Sequence, residues 1–239
     1  MAIPNPFVFD VDGTLTESRS PISHEAEDLL AEIVSRGSTV VIISGARRET
    51  LLEQIPLLSV APLWVMGQSG NDTWRNGTLA WRNTLAEEHV AEILAHVEAL
   101  RKAFPLGVQD EGDLVDFRGG QLSFSFVGHT QDLQTKKAFD PDGSFRRRVL
   151  AEVPFNSPGL LATVAGTTSL DYSRAEWNKR GNLERLFRVL GIDPNRAVYF
   201  GDRFGQGGND EPVRSLIPTI KEVRSPLDTI EILRAMLAA

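Results

Sequence analysis

The sequence has no cysteine among its 239 residues. This absence excludes disulfide bonds, zinc sites built on thiolates and cysteine nucleophiles. The chain must therefore obtain its stability without covalent cross-links and its chemistry without thiolates.

An excess of positive charge is also missing. The chain carries 25 Lys and Arg against 32 Asp and Glu, which gives a formal net charge of −7 and an isoelectric point of about 5.2. A net negative charge argues against general binding to nucleic acid or to an anionic membrane, although it leaves room for a local basic pocket.

Long apolar runs, repeats and low-complexity segments are absent as well. No apolar run approaches the length of a membrane span, and the stretch Met1–Asn5 lacks the basic residues that open a signal peptide. From this we expect a cytoplasmic protein with no membrane partner.

The composition that remains is ordinary for a soluble globular protein, with 41% hydrophobic and 24% charged residues. Periodicity predicts the order β-α-β-α-β up to Met66, with Ser23 capping the first helix, and this order implies a parallel sheet. Hairpin signals and two longer helices follow, one of them opened by Asp140-Pro141. The α/β pattern returns near Lys179. We predict a core of residues 1–83 and 176–239 and an inserted domain of residues 84–175.

Two carboxylates stand at the end of the first predicted strand. The apolar run before them ends in Asp10 and Asp12, followed by Gly13 and Thr14. Alternate residues of an extended segment point the same way, and ligands bind at the carboxyl ends of strands in open α/β sheets. Carboxylate oxygens suit a hard cation such as Mg²⁺. On its own, the stretch is equally compatible with an Asp-Gly turn.

Three further signals follow predicted core strands or open the helix after the insertion. They are Ser44-Gly45, Lys179, and the loop that carries Asp202 and Asp210. A strand-end hydroxyl and exposed N–H groups can hold phosphate oxygens, and acidic groups can complete a cation site. Each signal alone is also typical of a turn or of a solvated lysine. No dinucleotide fingerprint and no P-loop are present.

Taken together, these four signals resemble the haloacid dehalogenase (HAD) superfamily of phosphoryl-transfer enzymes. The signature D-x-D-G-T is residues 10–14, and Ser44, Lys179 and residues 201–210 match the other three motifs. An insertion between the second and third motifs resembles the C2 cap subclass. The resemblance implies an α/β protein, with a Rossmann-like core around a parallel sheet and an inserted α+β cap with an antiparallel sheet.

Longer stretches narrow the resemblance to the eukaryotic-type phosphomannomutases. They are residues 9–19, 117–128, 169–180 and 199–210, so the likeness extends over essentially the whole chain. It implies that Asp10 attacks phosphorus and that Asp12 acts as acid and base. It further implies that Ser44 and Lys179 hold the transferred phosphoryl group.

The same resemblance implies a Mg²⁺ ion and a set of sugar-phosphate contacts. The ion would be held by Asp10, the backbone carbonyl of Asp12, and Asp202. Asp210 either binds the ion directly or contacts the residues that bind it. The implied substrate contacts are Arg19, Gly45, Arg118, His129, Ser169 and Asp171. His129 departs from the family pattern, which has an arginine there. The run 146–148 of three arginines could substitute, but we interpret it as a solvated helix face, and we expect His89 and His96 on the surface.

The function predicted from these residues is phosphoryl transfer on hexose phosphates of the phosphomannomutase type, which interconverts mannose 1-phosphate and mannose 6-phosphate. A sugar-phosphate phosphatase is the first alternative, and a sensor without catalysis is the second. The resemblance also implies a hexose bisphosphate activator and a homodimer formed through the cap.

Overall fold

A computed structural model describes residues 4–17, 20–59, 61–105, 111–205 and 207–238. The chain forms two compact units. The first unit comprises Met1–Arg82 and Glu176–Ala239, and the second comprises Asn83–Ala175. In the described residues, no helix is both long enough and apolar enough to cross a membrane.

The first unit is built on a seven-stranded sheet. Its strands are β1 Phe7–Phe9, β2 Val40–Ile43, β3 Trp64–Gly67, β4 Asp72–Arg75, β5 Thr78–Arg82, β10 Val198–Gly201 and β11 Thr219–Glu222. The order across the sheet is β11-β10-β1-β2-β3-β4-β5. All pairings from β11 to β3 are parallel, and β4 and β5 add an antiparallel edge.

The helices of the first unit cover both faces of this sheet. They are α1 His24–Ser35, α2 Arg48–Gln54, α6 Lys179–Leu190 and α7 Pro226–Ala238. Alternate strand residues belong to two separate apolar clusters: Phe9 packs with residues of α1 and α7, and Val8 packs with residues of α6. Both faces are therefore buried, which explains why the strands have continuous apolar runs instead of alternation.

The second unit is an antiparallel sheet with three helices. Its strands are β6 Val115–Phe117, β7 Gln121–Ser125, β8 Leu160–Ala165 and β9 Ser169–Arg174, in the order β6-β7-β9-β8. Its helices are α3 Glu87–Ala103, α4 Leu133–Phe139 and α5 Ser144–Glu152. Short 3₁₀ turns complete the chain at Pro56–Ser59, Gln68–Gly70, Glu111–Asp113, Pro194–Arg196 and Glu211–Ser215. The parallel-dominated sheet and the separate antiparallel sheet confirm the predicted fold class.

Local signals placed several element ends correctly. Ser23 caps α1, because its side chain accepts a hydrogen bond from the Ala26 N–H. Gly191 ends α6 in the left-handed conformation that glycine adopts without strain.

The start of α5 was predicted wrongly. The helix begins at Ser144, and its N-cap position is Gly143 instead of Asp140. The Asp140 carboxylate still contacts the first turn of the helix, although it lies outside the cap position. It accepts hydrogen bonds from the N–H groups of Phe145 and Arg146. The preceding helix α4 was not predicted.

The interpretation of two side chains of the second unit as surface residues was also wrong. Arg146 is 2% exposed and forms an ion pair with Asp140, at 2.7 Å from Nε to Oδ2. Its guanidinium also donates to the carbonyls of Ala165, Gly166 and Ser169. His96 is buried with its two ring nitrogens bonded to the Tyr172 hydroxyl and the Val153 carbonyl. Both polar groups are tolerated inside because partners satisfy them.

Candidate active site

Three carboxylates of the first unit lie together at the carboxyl ends of two neighbouring strands. Asp10 follows β1, Asp202 follows β10, and Asp210 lies further along the loop after β10. One oxygen of each lies within 4.8 Å of the others. Because β1 and β10 are paired in parallel, the topology delivers these residues to one edge of the sheet.

Lys179 neutralises two of these carboxylates. Its Nζ lies 2.5 Å from Asp10 Oδ1 and 2.7 Å from Asp210 Oδ1, and its side chain is fully buried. Lys179 is the first residue of α6, and a positive charge at a helix N-terminus is unfavourable because it opposes the helix dipole. The two carboxylates offset this cost. Burial lowers the pKa of Lys179, but the two carboxylates outweigh burial and raise it overall.

Asp10 is almost fully buried at 4% exposure. Burial raises its pKa to about 7, and Lys179 limits the rise. Its backbone N–H donates to the Phe200 carbonyl, which fixes the residue beside β10. A buried carboxylate beside a cation is a suitable nucleophile toward phosphorus.

Asp210 has protein partners on both of its oxygens. Oδ1 accepts hydrogen bonds from Lys179 and from the Tyr199 hydroxyl, the latter at 2.5 Å, and Oδ2 accepts from the Arg203 N–H at 3.0 Å. Burial raises the pKa of Tyr199 well above its usual value. This hydroxyl therefore acts as a donor to Asp210.

Asp202 is the carboxylate with spare bonding capacity. Its Oδ1 is buried and has no hydrogen-bond partner among the described residues. Burial and the nearby Asp210 raise its pKa. A Cβ added to Gly13, which has φ +83°, would lie 2.4 Å from Asp202 Oδ2. The glycine of the D-x-D-G signature is therefore required both by its backbone conformation and by the close approach of Asp202.

These residues fit a hard cation. The donor set is carboxylate oxygen, and the unpaired Oδ1 of Asp202 is a buried acceptor that a cation would satisfy. A bound cation would offset the repulsion among three close carboxylates, of which Lys179 contacts only two.

Asp12 and Ser44 occupy the loops next to this cluster. Asp12 lies in a turn closed by a hydrogen bond from the Gly13 N–H to the Thr16 carbonyl, and its Oδ1 accepts a hydrogen bond of 3.2 Å from Gln54 Nε2. Ser44 follows β2, is 3% exposed, and its Oγ accepts from the Ala46 N–H.

The remaining predicted substrate residues belong to different parts of the chain. Gly45 follows Ser44, and a Cβ at that position would meet nothing within 4 Å, so glycine is not required there by crowding. Arg19 lies outside the described residues. The other four residues, Arg118, His129, Ser169 and Asp171, belong to the second unit.

One face of the antiparallel sheet in the second unit is polar. Pairing brings Asp116 opposite Ser123, and Ser123 opposite Asp171. Ser123 Oγ donates to Asp171 Oδ1 at 2.6 Å, and burial raises the pKa of Asp171. Arg118 donates from Nε to Asp116 at 2.8 Å. This row provides acceptors, donors and a guanidinium, which suit a sugar phosphate.

The other two predicted residues are His129, four residues after the end of β7, and Ser169, the first residue of β9. His129 Nε2 lies 3.2 Å from the Ser123 carbonyl, and the His129 carbonyl accepts from Lys136 Nζ at 2.6 Å. Ser169 is paired with Ser125, and its carbonyl accepts from buried Arg146. Arg146 is engaged in this packing and does not replace the missing arginine at 129.

This fold and its acidic centre define a protein of the haloacid dehalogenase superfamily, which confirms the class predicted from the four motifs. The model of the family described as eukaryotic phosphomannomutase matches residues 29–239. The chain belongs to that family, and it is an enzyme of the HAD phosphotransferase or phosphatase type.

Relatives and solved structures agree with this assignment. Phosphomannomutase 2 of Dictyostelium discoideum is 27% identical over 95% of this chain and 94% of its own length. The phosphomannomutase of Galdieria sulphuraria is 29% identical over 94% of this chain and 91% of its own. A haloacid dehalogenase-like hydrolase from Bacteroides thetaiotaomicron aligns with a TM-score of 0.67 at 15% identity, covering 98% of this chain and 99% of that one. That last likeness shows the fold alone.

Two residues of the site were not predicted from the sequence. Tyr199 opens the stretch 199–210 that resembles the phosphomannomutases, but its hydroxyl contact with Asp210 has no local signal. Gln54 ends a short amphipathic helix and contacts Asp12 across 42 residues of sequence. In both cases the partner is distant along the chain, so that a single sequence cannot reveal it.

Proposed function

We propose that this protein transfers phosphoryl groups between positions of hexose phosphates, as a phosphomannomutase does. The observation that carries the proposal is the pair of buried contacts from Lys179 to Asp10 and Asp210. A simple binding protein has no need of a buried carboxylate nucleophile beside a cation. Membership of the phosphomannomutase family supports the same substrate class.

In the proposed reaction, an oxygen of Asp10 attacks phosphorus and the bond from phosphorus to the sugar oxygen breaks. Asp12 gives its proton to that sugar oxygen and becomes a carboxylate. In the second transfer, a sugar hydroxyl attacks the aspartyl-phosphate, Asp12 takes the proton of that hydroxyl, and Asp10 leaves as a carboxylate. Lys179 and Ser44 stabilise the negative charge of the phosphoryl oxygens.

We further propose that Asp10, Asp202 and the Asp12 carbonyl hold Mg²⁺. When bound, this ion supplies charge neutralisation for the transferred group. Because both oxygens of Asp210 have protein partners, we propose that Asp210 orients Lys179 instead of binding the ion directly.

The first unit is proposed as the catalytic core and the second as the domain that selects the substrate. Arg118, Ser169 and Asp171 would bind the sugar phosphate on the polar face of the second sheet. A homodimer through the second unit and activation by a hexose bisphosphate remain predictions from the family resemblance.

A phosphatase is the second candidate, and His129 favours it. An imidazole offers fewer donors than a guanidinium, and Nε2 of His129 already lies close to a backbone carbonyl. A weaker hold on the phosphate that the acceptor sugar already carries would leave the aspartyl-phosphate without a positioned sugar hydroxyl. Water would then attack phosphorus, and Asp10 would leave as a carboxylate with release of inorganic phosphate.

The test is incubation with Mg²⁺, mannose 1-phosphate and a trace of glucose 1,6-bisphosphate. Mannose 6-phosphate is the expected product, whereas free mannose and inorganic phosphate alone would establish the phosphatase. Asp10→Asn should abolish turnover, and Asp28→Asn on the exposed side of α1 should not. If the wild type binds a hexose phosphate without turning it over, the protein is a sensor and the proposal fails.

A further inference from the structure

Gln54 is the last residue of α2 and is 5% exposed. Its Nε2 donates a hydrogen bond of 3.2 Å to Asp12 Oδ1. Resting on the proposed function, we infer that Gln54 is a positioning residue, which holds the carboxyl group of Asp12 in the orientation needed to exchange a proton with the sugar oxygen.

The side chain of Gln54 is well placed for this role because its backbone is fixed. The Gln54 carbonyl accepts a hydrogen bond of 2.8 Å from the Ile22 N–H, which belongs to the segment that follows the Asp12 turn. One turn earlier on α2, Leu51 is fully buried in the core. Helix α2 is therefore anchored on both sides of the amide, and a group on a packed helix is positioned more accurately than one on a loop.

The chemistry of the amide matches both forms of Asp12. A carboxylate only accepts hydrogen bonds, so it requires the Nε2 donor that the structure places beside it. A carboxylic acid can also donate, and Gln54 Oε1 is a buried acceptor with no partner in the part of the chain that the structure describes. A rotation of the amide would present Oε1 in place of Nε2. One side chain can then bind Asp12 before and after it has given up its proton.

The alternative is that Gln54 only packs the end of α2. The two roles differ in their dependence on the leaving group. A sugar oxygen needs a proton as it leaves phosphorus, whereas p-nitrophenolate leaves without one. The initial burst of p-nitrophenolate reports the attack by Asp10 alone. Damage to the packing would slow the reactions of both substrates. Misplacement of Asp12 would slow only the release of the sugar, which needs a proton.

The experiment compares Gln54→Leu and Gln54→Glu with the wild type in reactions with Mg²⁺ and excess substrate, followed from the initial burst into the steady state. One substrate is mannose 1-phosphate and the other is p-nitrophenyl phosphate. Leu removes the donor and the acceptor, and Glu keeps the size of the side chain but places a second carboxylate against Asp12. Leu51→Ala is the matched control, because it loosens the same helix without touching the amide.

For both Gln54 variants we expect sugar release to slow about 10- to 100-fold, the range expected when a catalytic group is misplaced by about 1 Å. The p-nitrophenolate burst should stay within about twofold of the wild type, and the KM for mannose 1-phosphate should not change. Leu51→Ala should affect the two substrates equally.

Equal losses on both substrates, or no loss on either, would overturn the positioning role. If Gln54→Leu fails to fold, the Glu variant decides the question by the same comparison. Failure of the phosphoryl-transfer chemistry on which the inference rests looks different, since the wild type itself would then turn over neither substrate, whereas a mutase and a phosphatase both transfer the phosphoryl group to Asp10 and are distinguished by their products.

Discussion

Removal of the Lys179 charge tests whether the acidic centre is held together as the structure indicates. Lys179→Met keeps a long apolar stem but leaves Asp10 and Asp210 without their shared cation. The side chains of Lys179 and Asp210 are 0% exposed and that of Asp10 is 6% exposed, so that water cannot replace the lost contacts. Removing one partner of a buried ion pair typically costs about 3–5 kcal/mol in the free energy of unfolding.

The measurement is urea unfolding at neutral pH, without added metal. The matched control is Arg180→Met, which removes the same charge one residue further along. Arg180 forms only an exposed pair with Glu184 at 3.5 Å, so its loss should cost less than about 1 kcal/mol. In the double variant Lys179→Met/Asp210→Asn, one of the unpaired charges is gone, and stability should return in part. If Lys179→Met is no less stable than Arg180→Met, the lysine is not neutralising buried carboxylates, and the reasoning fails.

Three further predictions concern other parts of the molecule. Gly13→Ala should cost about 1–3 kcal/mol of stability because φ is +83° there, and it should raise the Mg²⁺ concentration needed for activity because the new methyl group displaces Asp202; an unchanged Mg²⁺ titration would contradict this. Asp171→Asn should raise the thermal stability. Its raised pKa means that the carboxyl group stabilises the folded state only when protonated, at low pH, and this contribution is lost as the pH rises through the folded pKa. The gain of the variant over the wild type should therefore grow as the pH rises above the ordinary carboxyl pKa of about 4, and a constant difference in melting temperature would refute it. Arg146→Met should destabilise the protein by about 3–5 kcal/mol in urea unfolding, whereas Arg148→Met, on the exposed side of the same helix, should be nearly neutral; similar losses for both would show that burial of the guanidinium is not the cause.

The sequence predicted those features that depend on local chemistry. The apolar run before Asp10 and the cap at Ser23 need only neighbouring residues, and the structure has both. The order of motifs placed Asp10 and Asp202 at the ends of strands that turn out to be adjacent in the sheet. This success came from the family resemblance, because no local pattern states which strands are neighbours.

The errors arose where tertiary contacts decide the outcome. Three consecutive arginines were interpreted as a solvated helix face, but Arg146 turns inward toward Asp140 and the carbonyls of Ala165, Gly166 and Ser169. A buried arginine needs acceptors from several segments at once, and those acceptors are scattered along the sequence. The same reason hid the contacts of His96, whose partners lie 57 and 76 residues away.

The centre of the first unit also has a consequence for the order in which the protein can form during synthesis. Asp10 is made well before the lysine that neutralises it, which follows 169 residues later, and Asp210 is later still. Strand β1 likewise lies between β2, which is made soon after it, and β10, which is made much later. The ribosome therefore releases the nucleophile long before its counter-ion. A nascent chain that ends before Lys179 lacks both this counter-ion and the strands β10 and β11. Burial of Asp10 at that stage would leave its carboxylate unpaired, so that the residues from Lys179 onward decide when β1 can become the middle of the core.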